Sequence, residues 1–146
     1  MVQPQVVVRQ AALLIGLFVV LVPNLAAQNK SKAWLQGTWQ GTGYQTDENT
    51  TWAMKITAKK IKGGRRTFLI DYPSLNCGGR WKLLSMNQST ARFREVLDHG
   101  QDQCSDKGLV TIERIGRQLI FLYANQGSRK ITASAVLNRR SSASTQ

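Results

Sequence analysis

The chain has 146 residues, of which 42% are hydrophobic and 19% charged, and it carries a formal net charge of +12. This length suits one domain, and the ordinary globular composition excludes a wholly disordered or collagen-like chain. Two cysteines and one histidine are too few for a disulfide-dense miniprotein, a four-ligand zinc ribbon or a histidine-rich metal site. We therefore predict one domain that holds neither a metal nor another cofactor.

The first 27 residues have the pattern of a secretory signal peptide. One basic residue, Arg9, precedes an apolar run over 11–22, and small residues end the segment at Ala27. A run of this length spans about 18 Å as a helix, too short for a hydrocarbon core of about 30 Å. We therefore expect a secreted or periplasmic protein, with a signal peptide over 1–27 and a linker over 28–33.

Cys77 and Cys104 are the cysteines of the chain. In an oxidising compartment two cysteines most often pair, and these two lack the Cys-x-x-Cys spacing of redox catalysis. We therefore predict one structural disulfide. Closing a loop of about 28 residues would restrict the unfolded chain by roughly 3.6 kcal/mol on the chain-entropy account.

From Trp34 onward the hydrophobic pattern has a period of two, which is typical of β-strands. Turn-like segments separate about eight such stretches. These segments are 47–49, 63–64, 73–79, 87–88, 100–108, 115–117 and 126–128. Short connections favour hairpins, so the pattern predicts an all-β domain over 34–140, an antiparallel up-and-down barrel of about eight strands. A β-sandwich is the alternative, and we expect a disordered polar tail over 141–146.

Alternate turns of an up-and-down barrel lie at the same end, so connectivity alone predicts how charge is distributed. Both cysteines fall at one end together with the acidic residues Asp47, Glu48, Asp98, Asp102 and Asp106. The other end receives the predicted anion-binding residues, which are Lys59, Lys60, Lys62, Arg65, Arg66, Arg114 and Arg117. The expected partner there is an anionic envelope polymer, a lipid headgroup or an acidic protein surface, and specific nucleic-acid binding is not expected. A merely solubilising surface is the alternative.

Aromatic side chains fall largely on one alternating face, and an eight-stranded barrel is either filled by its side chains or holds one small ligand. Glu95 alternates with Phe93 and Leu97, so it is predicted to point inward. A buried carboxylate needs a partner, such as Arg80 or Arg94, or becomes protonated. The candidate interior contacts for a small apolar ligand are Trp39, Trp52, Trp81, Phe93, Glu95 and Tyr123. A completely filled core is the alternative.

Catalysis finds little support in the sequence. The loop that contains Asp98, His99, Asp102 and Ser105 holds the residue types of a nucleophile, a base and an orienting acid. Triads are recognised by geometry rather than by closeness in sequence, and a polar loop commonly has this composition. We therefore predict no catalytic residue and a non-enzymatic monomer.

The tripeptide Gly37-Thr38-Trp39 resembles the Gly-x-Trp signature of lipocalins and related calycin barrels. In that superfamily the tryptophan closes one end of the barrel, and a basic residue from the last strand often lies across it. The resemblance implies that Arg139 or Arg140 lies over Trp39, an arrangement worth about 0.5–2 kcal/mol.

A second resemblance covers the sequence Tyr-Pro-Ser-Leu-Asn-Cys-Gly-Gly-Arg-Trp-Lys-Leu at 72–83, Phe-Arg-Glu at 93–95 and Cys-Ser-Asp-Lys-Gly-Leu-Val at 104–110. This pattern is similar to a small extracytoplasmic bacterial module that occurs alone or attached to membrane-bound Ser/Thr kinases. The resemblance implies an exported binding or sensor module, and it carries over no catalytic residue. A protein inhibitor of a secreted hydrolase is the alternative function, since small disulfide-linked barrels suit that role.

Overall fold

The computed structural model describes residues 33–60 and 64–141 of the chain. Eight antiparallel strands within these residues pair in chain order and form a closed barrel. They are β1 (Gly37–Gln45), β2 (Thr50–Lys60), β3 (Arg66–Tyr72), β4 (Cys77–Met86), β5 (Thr90–His99), β6 (Leu109–Ile115), β7 (Gln118–Ala124) and β8 (Ile131–Arg139). The predicted up-and-down barrel is confirmed, and the β-sandwich alternative is wrong. The predicted signal peptide, linker residues 28–32, Lys62 and tail residues 142–146 lie outside the described residues.

The first and last strands close the barrel. β1 pairs with β8 from Trp39, opposite Arg139, to Gln45, opposite Ala133. Closure pairs the backbone groups that an open sheet would leave unsatisfied at its edges. No helix long and apolar enough to cross a membrane is present in the described residues.

Four aromatic side chains pack together in the middle of the barrel. The Phe93 ring lies 4.9 Å from the Phe68 ring and 5.2 Å from the Trp81 ring, measured between centroids. Phe121 stacks on Trp81 at 5.9 Å. All four side chains are buried, and large aromatic side chains dominate the energetics of such cores. The middle of the barrel is therefore filled by its own side chains.

Three details differ from the predicted strand pattern. The third connection is shorter than 73–79, because Cys77 already pairs with Tyr72 and begins β4. The period-two pattern, continued from Trp81, predicts an inward Leu83, but this side chain is 45% exposed and lies next to a register shift in the pairing of β4 with β5. Trp34 precedes β1 and lies in a turn rather than in a strand.

The barrel end that holds the first residue of β1 and the last residue of β8 is covered by Trp34, Leu35, Trp39 and Arg139; we call it the closed end. Trp39 is 4% exposed, and its Nε1 donates to the Leu35 carbonyl oxygen at 2.9 Å. The Arg139 guanidinium lies 4.5 Å from the centre of the Trp39 ring, and its Nη2 donates to the Trp34 carbonyl oxygen at 3.2 Å. The predicted basic residue over Trp39 is therefore Arg139.

The opposite end holds the connections 46–49, 73–76, 100–108 and 125–130; we call it the open end. The predicted disulfide is confirmed here. It joins Cys77, at the start of β4, to Cys104 in the 100–108 connection, with 6.4 Å between the Cα atoms. The acidic residues predicted for this end lie in or next to its connections, but the 125–130 connection adds Arg129 and Lys130, so the open end is of mixed charge.

Candidate ligand-binding site

A cavity of about 340 Å³ lies at the open end of the barrel. Its walls come from the strands β1, β2, β3, β5, β7 and β8 and from three connections. The lining residues are Gln45, Glu48, Thr50, Thr51, Trp52, Tyr72, Leu75, Glu95, Gln103, Cys104, Ser105, Phe121, Tyr123 and Ala133. Small-molecule sites commonly measure about 300–1,000 Å³, so this cavity suits a small ligand.

Glu95 is the charged side chain buried in the cavity wall, and only 2% of it is exposed. Two neutral donors bind the same carboxylate oxygen. The Tyr72 hydroxyl donates to Oε2 at 2.7 Å, and Trp81 Nε1 donates to Oε2 at 2.8 Å. No hydrogen bond from a described residue reaches Oε1. One carboxylate oxygen is therefore free for another partner.

The expected basic partners of Glu95 are engaged elsewhere. Arg80 forms an ion pair with Asp98 at 2.7 Å on the outside of the barrel, and Arg94 Nη1 donates to the Lys107 carbonyl oxygen at 2.8 Å. The Arg80–Asp98 pair is the single ion pair in residues 33–60 and 64–141. Of the two alternatives for a buried Glu95, a basic partner or protonation, the structure excludes Arg80 and Arg94 as the partner, because both side chains project from the outer face of their strands.

Burial changes the protonation of the groups around Glu95. Desolvation raises the pKa of the Glu95 carboxyl from 4.5 to about 7, although the hydrogen bonds from Trp81 and Tyr72 lower it. The charge of Asp106 raises it further. Burial together with the Glu95 charge also raises the pKa values of the Tyr72 and Tyr123 hydroxyls, so both phenols keep their protons near neutral pH. Glu95 is therefore the group of this site that changes charge near neutral pH.

Trp52 lines another part of the cavity and carries a donor without an acceptor. The side chain is 7% exposed, and Nε1 is the buried side-chain polar atom that lacks a hydrogen-bond partner among the described residues. An unpaired buried donor costs about 1–3 kcal/mol. The Trp39 indole at the closed end, by contrast, has its acceptor.

Two glycines make room for the aromatic walls of the cavity. A Cβ atom at Gly43 would lie 2.5 Å from the Trp52 ring, and a Cβ atom at Gly108 would overlap the Tyr123 ring. Real Cβ atoms do not approach other atoms so closely, so any larger residue at either position would displace the ring. The sequence therefore allows the backbone to approach both rings closely.

The 100–108 connection forms one side of the cavity mouth. A disulfide and hydrogen bonds join it to the strands. Cys104 holds it to β4 through the disulfide. The Tyr123 hydroxyl donates to the Ser105 carbonyl oxygen at 3.2 Å, and Asp106 Oδ1 accepts a backbone N–H of β5 at 2.9 Å. These contacts hold the mouth of the cavity in place.

The predicted interior contacts are not all in the cavity. Three of them line it, namely Trp52, Glu95 and Tyr123. Trp81 and Phe93 belong to the aromatic cluster in the middle of the barrel, and Trp81 reaches the site only through its hydrogen bond to Glu95. Trp39 lies at the closed end. These three residues therefore do not line the cavity, although Trp81 lies opposite Glu95 in the β4–β5 pairing.

Other lining residues were not predicted. Tyr72 alternates with Phe68 and Ile70, which indicates an inward side chain, and its partner Glu95 carries the same signal on β5. Gln103 and Ser105 lie in an irregular connection, where no periodicity indicates orientation. Alternation could have identified the tyrosine but not the loop residues.

The predicted anion-binding residues that the structure describes lie around the closed end. Lys59, Lys60 and Arg65 are exposed beside the β2–β3 connection. Arg114 and Arg117 are exposed beside the β6–β7 connection, four strands away around the barrel and thus on the opposite wall. The basic residues therefore flank the closed end rather than form one continuous patch. Arg66 is half-buried and donates to Met86 Sδ at 3.6 Å.

The loop residues that have the side chains of a catalytic triad do not form one in the structure. Asp98 pairs with Arg80, and Asp102 accepts a hydrogen bond from Gln103 Nε2 at 3.1 Å. His99 makes no side-chain hydrogen bond to the residues that the structure describes, and it borders a surface groove outside the cavity. Ser105 is the member of this set that lines the cavity mouth.

Comparison with known proteins gave no match to a family model, to a curated protein or to a solved structure.

Proposed function

We propose that the protein is an exported, non-enzymatic binding module that holds one small ligand in the cavity at the open end of its barrel. The observation that carries this proposal is a cavity of about 340 Å³ whose wall contains a buried carboxylate, Glu95, with no hydrogen bond from a described residue to its Oε1. Ligand sites typically combine apolar and aromatic walls with a few such polar groups. A bound molecule with a polar group would supply a partner for that oxygen.

Two further features support the proposal. The middle of the barrel is packed with aromatic side chains, so the ligand has a rigid floor beneath it. The disulfide fastens one side of the mouth, and it also suits the oxidising compartment of a secreted or periplasmic protein. The role as a bacterial binding or sensor module, which the motif at 72–83 implies, is consistent with such a site.

Native mass spectrometry of protein purified from its own host tests this function. We expect the wild-type protein to retain one small molecule. A Ser105→Trp substitution at the cavity mouth should abolish retention, whereas Leu84→Trp, which adds the same bulk on the outer wall, should not. An empty wild-type protein, or equal retention by both variants, would contradict a ligand in the cavity.

A second candidate function is binding to a polyanionic surface at the closed end. The observation that favours it is a set of exposed basic side chains without an ion pair to any described residue, namely Lys59, Lys60, Arg65, Arg114 and Arg117. Each basic residue near an anionic membrane surface contributes about 1 kcal/mol. Retention on heparin and on anionic liposomes as a function of salt measures this activity.

A further inference from the structure

We propose that the ligand of the cavity is a small organic cation, an amine with an aromatic or compact apolar body, whose charged group binds the free oxygen of Glu95. This inference rests on the proposed function, because it identifies the chemistry of the ligand in that cavity. Its evidence is the distribution of charge and hydrogen-bond partners around the cavity.

The cavity lacks positive charge in a strongly basic protein. The chain has 20 Lys and Arg residues against 8 Asp and Glu residues, yet the residues that line the cavity include two carboxylates, Glu48 and Glu95, and no Lys, Arg or His. A buried carboxylate is costly unless a charge or several donors compensate it. Since Tyr72 and Trp81 are neutral donors to one oxygen only, no described lining residue compensates the charge of the ionised carboxylate, and a cationic ligand would do so.

The remaining walls suit the body of such a molecule. Trp52, Phe121 and Tyr123 present aromatic surface to the cavity. Ring faces attract organic cations and stack on aromatic groups, each contact being worth about 0.5–2 kcal/mol. An anionic ligand would instead face two carboxylates without a basic side chain to receive it.

The titratable groups that act on Glu95 or line the cavity come from four elements and include no base. Tyr72 contacts it from β3, Tyr123 faces it from β7, Asp106 acts on it from the 100–108 connection, and Glu48 lines the cavity from the 46–49 connection. The charge of Arg94, on the outer face of β5, acts on Tyr123 and partly offsets the rise in the pKa of that hydroxyl. Because the pKa of Glu95 is raised to about 7, a cation binds to the ionised form and releases the proton. Affinity for an amine should therefore rise with pH and level off above neutral pH, whereas a neutral acceptor that needs the protonated carboxyl should bind more tightly as pH falls.

Four matched probes separate these chemistries: tyramine, phenethylamine, tyrosol and phloretate. The first two are amines with and without a phenolic oxygen, tyrosol replaces the amine by a hydroxyl, and phloretate replaces it by a carboxylate. Affinities are measured by ligand-observed NMR and calorimetry. The Trp52 Nε1–H resonance, assigned with a Trp52→Phe variant, reports whether the probe lies in the cavity.

At about pH 8 we expect tyramine to bind at least about tenfold more tightly than tyrosol, and phloretate not to bind. The tyramine affinity should fall by up to about tenfold per pH unit below the pKa of Glu95. Glu95→Gln should remove both the preference for amines and the pH dependence, whereas Glu113→Gln, a carboxylate on the outer face of β6, should keep both.

Each result decides the inference. If tyrosol or phloretate shifts the Trp52 resonance and binds as tightly as tyramine, the ligand is not a cation, although the cavity still binds small molecules. If no probe shifts that resonance, the binding function of the cavity fails together with the inference. If Glu95→Gln fails to fold, the pH profile of the wild-type protein still decides, because an affinity for tyramine that is flat or falls with pH overturns the role of Glu95.

Discussion

Each end of the barrel contains a buried tryptophan, but the two indoles differ in their contacts. At the closed end, the Trp39 indole donates to a carbonyl oxygen and lies under a guanidinium, so its polar and apolar parts are both satisfied. At the open end, the Trp52 indole is almost as deeply buried, but its N–H has no partner among the described residues and its ring borders a cavity. The difference separates a tryptophan that stabilises the barrel from one that is suited to contact a ligand.

The largest effect is expected from removal of the closed-end indole. Trp39→Ala should lower the free energy of unfolding by about 3–5 kcal/mol, because it opens a void, removes the donor to the Leu35 carbonyl oxygen and removes the ring beneath Arg139. Trp52→Ala should cost clearly less, since it enlarges an existing cavity and removes an unpaired donor. Urea unfolding of both variants measures the difference. Equal losses would show that the two ends do not differ in packing.

Removal of the disulfide tests how the open end is held. Replacing Cys77 and Cys104 together by Ala should lower the free energy of unfolding by about 2–5 kcal/mol while the strand content seen by circular dichroism is unchanged. Hydrogen exchange should accelerate in the 100–108 connection and not around Trp39. Peptide mapping that finds both thiols free after periplasmic expression would refute the disulfide.

The buried carboxylate should make stability depend on pH. Because the pKa of Glu95 is raised from 4.5 to about 7, the folded state binds more protons than the unfolded state between these values, and stability falls as pH rises through this window. The loss from this group is complete above its folded pKa and amounts to about 3 kcal/mol. Glu95→Gln should therefore be more stable than the wild-type protein at about pH 8, and the difference should shrink towards about pH 5.

Unfolding curves over this pH range check the sign. Glu113→Gln on the outer face of β6 is the control and should follow the wild-type profile. A Glu95→Gln variant that is less stable than the wild-type protein at high pH would mean that the carboxylate is compensated in the free protein, and the reason for a cationic ligand would disappear.

The smallest effect on stability is expected when exposed basic side chains are replaced. Such variants show which end of the barrel binds polyanions. Replacing Lys59, Lys60 and Arg65 by Gln should leave the free energy of unfolding within about 0.5 kcal/mol, because these side chains are exposed. Retention on heparin should drop, and in the wild-type protein it should weaken steeply with salt, as exposed charges are screened beyond about 8 Å.

The matched variant removes the same charge at the open end. Its substitutions are Lys107→Gln, Arg129→Gln and Lys130→Gln. Retention of this variant should match that of the wild-type protein. If both variants lose retention equally, net charge rather than the closed end is responsible.

Much of the fold could be predicted because it depends on local patterns. Period-two alternation placed Glu95 and Trp52 on the inner face, and short turns implied chain-order pairing, so parity alone brought Cys77 and Cys104 to one end. The alternation failed at Leu83, which is exposed beside a register shift between β4 and β5. A register shift depends on how two strands pair, so the sequence of a single strand does not indicate it.

The sequence by itself thus determined the strands, the inward carboxylate and which connections share an end, because these follow from alternation and connectivity. The tertiary structure alone decided that Trp81 and Phe93 fill part of the core, that a cavity remains at the open end, and that Trp52 Nε1 has no acceptor among the described residues. It also placed Arg80 and Arg94 outside, away from Glu95. These distances run across the barrel, and they are set only when all eight strands close and their side chains pack against one another.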